Sequence, residues 1–166
     1  MPPPIQSVAT DMAQAYHKAV IEIFPQATVV IDHFHVVKLI NDKLTELRRD
    51  LCDEARNFKK IDVIKGTHWL LLKNAENLDE DRNQKKELEK ALELNKPLST
   101  AYYLKEDLRQ FWNQTDMKHA KTFLGQWIAK ALASGIRVLK TMANTLIRFR
   151  KYLFNYYIYP ISTGPL

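Results

Sequence analysis

Only two stretches of this chain read as β-strands, and both fall within its first 31 residues. Residues 7–10 (Ser-Val-Ala-Thr) and 27–31 (Ala-Thr-Val-Val-Ile) are short, compact runs of the kind that pack as strands, and each leads directly into an aspartate, Asp11 and Asp32. Residues 12–24 between them set Met12, Ala15, Ala19, Val20, Ile23 and Phe24 on one helical stripe. Pro25 ends that stripe, because the residue before a proline avoids the α region. Strand, helix and strand joined so closely form a parallel, right-handed βαβ unit. Two strands without further neighbours do not make an independent sheet. The sequence is therefore expected to be a fragment of a larger protein.

After Asp32 the apolar period becomes helical throughout. The spacing predicts a long helix over 34–58, a short apolar piece over 67–73, and helices over 79–94 and 97–112. Another starts near Met117, with Thr115 as its cap, and a last one covers 136–156 after the Ser134-Gly135 break. The expected class is mainly α with a small α/β part. Its expected divisions are a partial sheet domain over 1–35, a helical insertion over 36–134, and a basic C-terminal helix over 135–166.

Charge is distributed unevenly. The net value is +6, yet no Asp or Glu occurs from Met117 to Leu166, where eight Lys and Arg lie, while the preceding residues sum to −2. Such a segment suits a polyanion, nucleic acid first. The expected phosphate contacts are Lys130, Arg137, Lys140, Arg148, Arg150 and Lys151. Aromatic residues interleave with them from Phe149 to Tyr159, a mixture used for base stacking, although a core-facing stripe has the same pattern, which is the expected role of Phe149 and Tyr156. Cys52 is the single cysteine and excludes an internal disulfide. No apolar run reaches the ~20 residues of a membrane span, and the Pro-rich start lacks a secretory signal, so a cytoplasmic location without membrane contact is expected.

Two acids at strand ends suit a hard divalent cation, which takes one or two carboxylates along with waters and phosphate oxygens. Asp is equally a favoured helix N-cap, so Asp11 before Met12 and Asp32 before the long helix have a second reading. His35, three residues after Asp32, shares its helical face and is within reach of that carboxylate. His33 and His35 lack the further Cys or His ligands that zinc requires.

These residues carry a family resemblance. Asp11-Met12 with Tyr16, Phe24-Pro25-Gln26-Ala27, and Ile31-Asp32-His33-Phe34-His35-Val36-Val37-Lys38-Leu39 with Asn41 resemble the prokaryotic insertion-sequence transposases of the ISL-three type. Trp69-Leu70-Leu71-Leu72-Lys73, Asn77-Leu78, Ala101-Tyr102 through Leu108, Trp112, Asn155-Tyr156 and Pro160-Ile161-Ser162-Thr163-Gly164 agree in the same order. The resemblance implies a DDE recombinase with an RNase-H-like core, using three acids and Mg²⁺ or Mn²⁺ to cut transposon ends and join them to target DNA. It assigns Asp11 as the second acid and metal ligand, with Asp32 and His35 as a supporting Asp-x-x-His motif. Asp32 as the second acid is the alternative. The first Asp and the final Glu are expected outside these residues, so the piece is expected to be inactive alone and to bind no metal by itself. DNA is the implied partner, the location nucleoid-associated, and a homodimer is compatible with the pattern. The rival reading is a non-catalytic helical dimerisation module.

Overall fold

The computed structural model describes residues 3–54 and 58–163, with side chains for all of these except 58–60. The chain opens with β1 (Ser7–Thr10), α1 (Gln14–Ile23) and β2 (Thr28–Ile31). The strands pair in parallel, Ser7 beside Thr28 through Thr10 beside Ile31, as the βαβ reading requires. Seven described helices follow: α2 (His33–Glu54), α3 (Phe58–Gly66), α4 (His68–Leu72), α5 (Gln84–Leu94), α6 (Lys96–Arg109), α7 (Met117–Ala133) and α8 (Arg137–Phe154). Single 3-10 turns lie at Ala75–Asn77, Gln110–Asn113 and Asn155–Tyr157. The protein is thus mostly helical with one small parallel sheet.

The sheet is asymmetric in its burial. Val30 and Ile31 are completely buried, while every residue of β1 is only half-buried, not buried as its apolar pattern implies. The cause is position. β2 lies on α8, and Asn155 Nδ2 donates to the Val29 carbonyl at 2.7 Å, occupying an acceptor on the strand's outer edge. β1 pairs only with β2 among the described residues, so its other edge keeps unpaired backbone groups. α1 is similarly bare. Tyr16, Ile21, Ile23 and Phe24 are exposed, and His17 is its one buried residue.

The core forms where the helices meet. Val36, Ile40, Leu44 and Leu47 of α2 face Leu98, Ala101 and Leu108 of α6, and join Leu124 and Trp127 of α7 and Leu139, Met142 and Leu146 of α8 in one continuous cluster with Ile31 of β2. Three residues separate α7 from α8, a link short enough to make them antiparallel neighbours. Gly135 in that link has φ +73°, which favours glycine.

Helix ends differ from expectation by a few residues, each for a local reason. The helix after Asp79 starts only at Gln84, because the Asp79 carboxylate accepts from Arg82 N at 3.2 Å and holds a turn instead. Asn95 Oδ1 accepts from Leu98 N at 3.0 Å and caps α6, putting Pro97 second, not first, in the helix. Asp116, not Thr115, caps α7, accepting from His119 N at 2.9 Å. The predicted helix 34–58 corresponds to α2 and the first residue of α3, and 55–57, close to its end, lie outside the described residues. The predicted helix 136–156 tightens into a 3-10 turn after Phe154. Of the tail aromatics, Phe149 is buried and Tyr156 packs against the core, so the core reading holds for both. Among the described residues no helix is long and apolar enough to cross a membrane.

Candidate active site and nucleic-acid surface

Asp11 and Asp32 each follow the last residue of adjacent parallel strands, in consecutive register. Neighbouring strands run about 4.8 Å apart, so the two carboxylates leave the sheet side by side at its C-terminal rim. There they open on one cleft of about 370 Å³, lined also by Thr10, Tyr16, His35 and Thr163. A second groove of about 280 Å³ continues from Asp11 and His35 past Lys38 and Asp42 to Thr145 of α8. Asp11, Asp32 and His35 are therefore brought together, as their sequence positions imply.

The two acids are used differently. Asp11 is half-buried, and its Oδ1 accepts from Ala13 N at 3.0 Å, a local turn ahead of the helix. It does not cap a helix starting at Met12, because α1 begins at Gln14 and its cap position is Ala13. Its Oδ2 accepts no hydrogen bond among the described residues. The Asp11 carbonyl is held from behind by His17, whose Nε2 lies 2.9 Å away and also 3.0 Å from Thr10 Oγ1. His17 in turn meets the rings of Phe149 and Tyr152 edge-on, at centroid distances of 5.2 and 4.5 Å. No local sequence pattern singles out this histidine, which lies off the apolar stripe of its helix.

Asp32 is 1% exposed and saturated. Oδ1 accepts from Phe34 N at 3.2 Å and from Ser162 Oγ at 2.8 Å, and Oδ2 accepts from Thr163 N at 3.3 Å and from Thr163 Oγ1. The first of these bonds is the helix-cap bond expected of an Asp before α2. His35 is not among these donors; only its backbone N–H reaches residue 32, at the carbonyl, 3.1 Å away. Burial pushes the Asp32 carboxyl up, but the hydrogen bonds from Thr163, Ser162 and Phe34 outweigh it and hold the pKa below the ordinary carboxylate value. A carboxyl depressed in the folded state stabilises it above the unfolded pKa, about 3.9, and that stability is lost as pH falls through the folded value. The melting temperature is accordingly expected to fall below about pH 4, with part of the fall absent in Asp32→Asn. The substitution should itself cost about 1–3 kcal/mol near neutrality, by leaving buried donors poorly matched. Identical pH profiles for the two proteins would contradict this role.

Asp11 suits a hard cation as one oxygen ligand. Asp32 does not, since its oxygens are already engaged by four donors. Among the described residues no three His, Cys, Asp or Glu side chains are placed to hold a metal ion. The donor set here is therefore partial.

The basic residues also separate. Arg137 donates to Glu46 Oε1 at 2.8 Å and to Asp50 Oδ2 at 2.9 Å, tying the start of α8 to α2. Its side chain remains two-thirds exposed, at 67%, so this expected phosphate contact is shared with two acids of α2. Lys130 has a loose, exposed partner in Asp107 at 3.5 Å. Lys140, Arg148, Arg150 and Lys151 are exposed on the solvent half of α8 and form no ion pair among the described residues.

One buried cation was not expected, although its spacing from Leu98, Ala101, Tyr102 and Leu108 puts it on the apolar stripe of α6. Lys105 is 1% exposed, and its Nζ donates to the carbonyls of Leu71 at 2.9 Å and Lys73 at 2.6 Å, beside Glu106 Oε1 at 2.9 Å. It closes the end of α4 onto α6.

The chain is similar to known proteins along nearly its whole length. The model of the DDE transposase family of the ISL-three type, described as "Transposase", matches residues 2–166. The transposase for insertion sequence element IS1001 of Bordetella parapertussis is 34% identical over 162 residues, which cover 96% of this chain and 39% of that protein. The chain thus spans about two fifths of the length of the curated relative it matches. No solved structure matches it. On the family match and this identity, the chain belongs to the ISL-three type transposase family.

Proposed function

We propose that these residues are part of a DDE transposase that cuts and joins DNA, with β1, α1 and β2 serving as strands and helix of its RNase-H-like core. The observation that carries this reading is the pair of acids at adjacent strand ends, only one of which has an oxygen free for a ligand. Asp11 is the second acid of the triad and the metal ligand. Asp32 acts in support: it grips Ser162 and Thr163 and so holds the segment returning from α8 against the cleft that contains Asp11. This division favours Asp11 over Asp32 as the triad acid. His35 lines the cleft beside both. A divalent cation, Mg²⁺ or Mn²⁺, supplies Lewis acidity toward phosphodiester oxygens in such an enzyme. The unpaired edge of β1 and the exposed apolar side of α1 fit a larger sheet completed by other parts of the protein.

DNA is the partner of the acid-free face of α7 and α8, through Lys140, Arg148, Arg150 and Lys151, with Lys130 at its margin. Four phosphate contacts give a log–log salt slope of about −3.6, so duplex affinity should fall on the order of 10²-fold between 50 and 200 mM salt. Lys140→Ala or Arg148→Ala should each reduce the slope by about 1, whereas Arg137→Ala should leave it unchanged. In the full-length enzyme, Asp11→Asn should abolish strand transfer with duplex affinity retained. Salt-insensitive binding would remove the DNA-contact reading. The exposed side of α1 supports a second reading, a dimerisation module; a stable dimer by light scattering, without DNA affinity, would favour it.

A further inference from the structure

Between the first half of α7 and the end of α8 lies a recess of about 290 Å³, lined by Lys121, Leu124, Gly125, Ile128, Arg150 and Phe154. It is remote in sequence from the acids at the sheet rim. Lys121 Nζ stands 5.7 Å from the Phe154 ring centroid, a weak contact for an exposed lysine on a flexible stem. Neither Lys121 nor Arg150 has an acidic partner among the described residues, and no Asp or Glu occurs anywhere in α7 or α8.

Gly125 adds an independent observation. A glycine in a helix interior is unfavourable relative to alanine. Packing does not require it here, since a Cβ at this position would meet nothing within 4 Å. Its bare backbone leaves the side of α7 open between Leu124 and Ile128. The recess therefore combines two unpaired cations, one aromatic ring and an apolar wall with free space. That is the composition of a site for a planar base and its phosphate, where stacking supplies a contact and cations track the backbone.

We propose that this recess receives one unpaired nucleotide of a DNA strand, its phosphate between Lys121 and Arg150 and its base against Phe154 over Gly125. The proposal rests on the reading that this face binds DNA. A base still paired in a duplex cannot enter a recess, so the ligand is single-stranded or extruded. On entry of the base, the Lys121 ammonium leaves the ring and turns to the phosphate.

The test is fluorescence anisotropy of the chain with a labelled oligothymidine and with a strand of equal length in which abasic sites replace every base. The base-bearing strand is expected to bind about tenfold more tightly, the value of roughly one good stacking contact. Gly125→Leu, which fills the recess without changing charge, should bring that ratio close to one while leaving the abasic strand's affinity unchanged. Gly125→Ala, favourable in a helix, should give an intermediate ratio and serves if the leucine variant fails to fold by circular dichroism. Lys121→Ala and Arg150→Ala should weaken both strands. Equal affinities in the parent chain, or a preference that survives filling of the recess, overturn the proposal alone. Absence of binding to either strand overturns it together with the DNA-contact reading. Polyglutamate should compete no better than the abasic strand; if it matches oligothymidine, the recess takes acidic side chains and the proposal falls.

Discussion

Lys105→Ala is expected to lower the unfolding free energy by about 3–5 kcal/mol, the usual cost of removing one partner of a buried charged network. The Lys105 ammonium is the donor shared by the carbonyls of Leu71 and Lys73, at the negative end of α4, and it lies against the Glu106 carboxylate. Truncation leaves those acceptors without their donor and opens a void beneath Tyr102, whose ring lies 4.9 Å from Nζ. Lys105→Met separates the two effects. It restores most of the volume but no donor, so about 1–3 kcal/mol of the loss should remain. Urea unfolding followed by circular dichroism reads both values. A loss under about 1 kcal/mol for the alanine variant would mean that water replaces the ammonium without penalty.

Trp127→Ala should be of similar size, about 3–5 kcal/mol. Trp127 is 2% exposed and sits in the core at the junction of α6, α7 and α8, where its Nε1 donates to the Leu104 carbonyl at 2.8 Å. The alanine variant loses both the largest aromatic surface in that junction and a buried hydrogen bond. Trp127→Phe keeps much of the ring and should cost about 1–3 kcal/mol, mostly for the orphaned carbonyl. The same chemical unfolding experiment applies, and equal losses for Phe and Ala would assign the effect to the hydrogen bond instead of to packing. Because α7 also carries Lys121 and Gly125, the alanine variant should loosen the nucleotide recess as well as the core.

The strands, their acids and the long helices were legible because their signals are local. β-Branched residues in 27–31 favour extended backbone, Pro25 stops a helix, and Ser134-Gly135 permits the turn that Gly135 makes. The differences at helix ends are local too. Thr115 and Asp116 are both good caps, and only the backbone geometry of the turn selects Asp116, whose extended φ and ψ place its carboxylate over His119 N. α1 starts two residues after Met12 because the Asp11 carboxylate accepts from Ala13 N and delays the helix.

What the residues near each position cannot encode is which distant group will arrive beside it. The strand-end position of Asp32 suits a metal ligand, but Ser162 and Thr163, 130 and 131 residues later, occupy its oxygens. Arg137 lies in the acid-free segment, yet Glu46 and Asp50, 91 and 87 residues earlier, pair with it. Lys105 falls on the apolar stripe of α6, with Leu98, Ala101, Tyr102 and Leu108, and only the carbonyls of Leu71 and Lys73 and the Glu106 carboxylate let a cation lie there. The sequence by itself determined the secondary structure, the strand-end location of the acids and the acid-free character of the last two helices, since each depends on backbone preference or composition over a few residues. Only the tertiary structure decided which charges are free, because the state of a charge depends on desolvation and partners that the packing of distant segments creates.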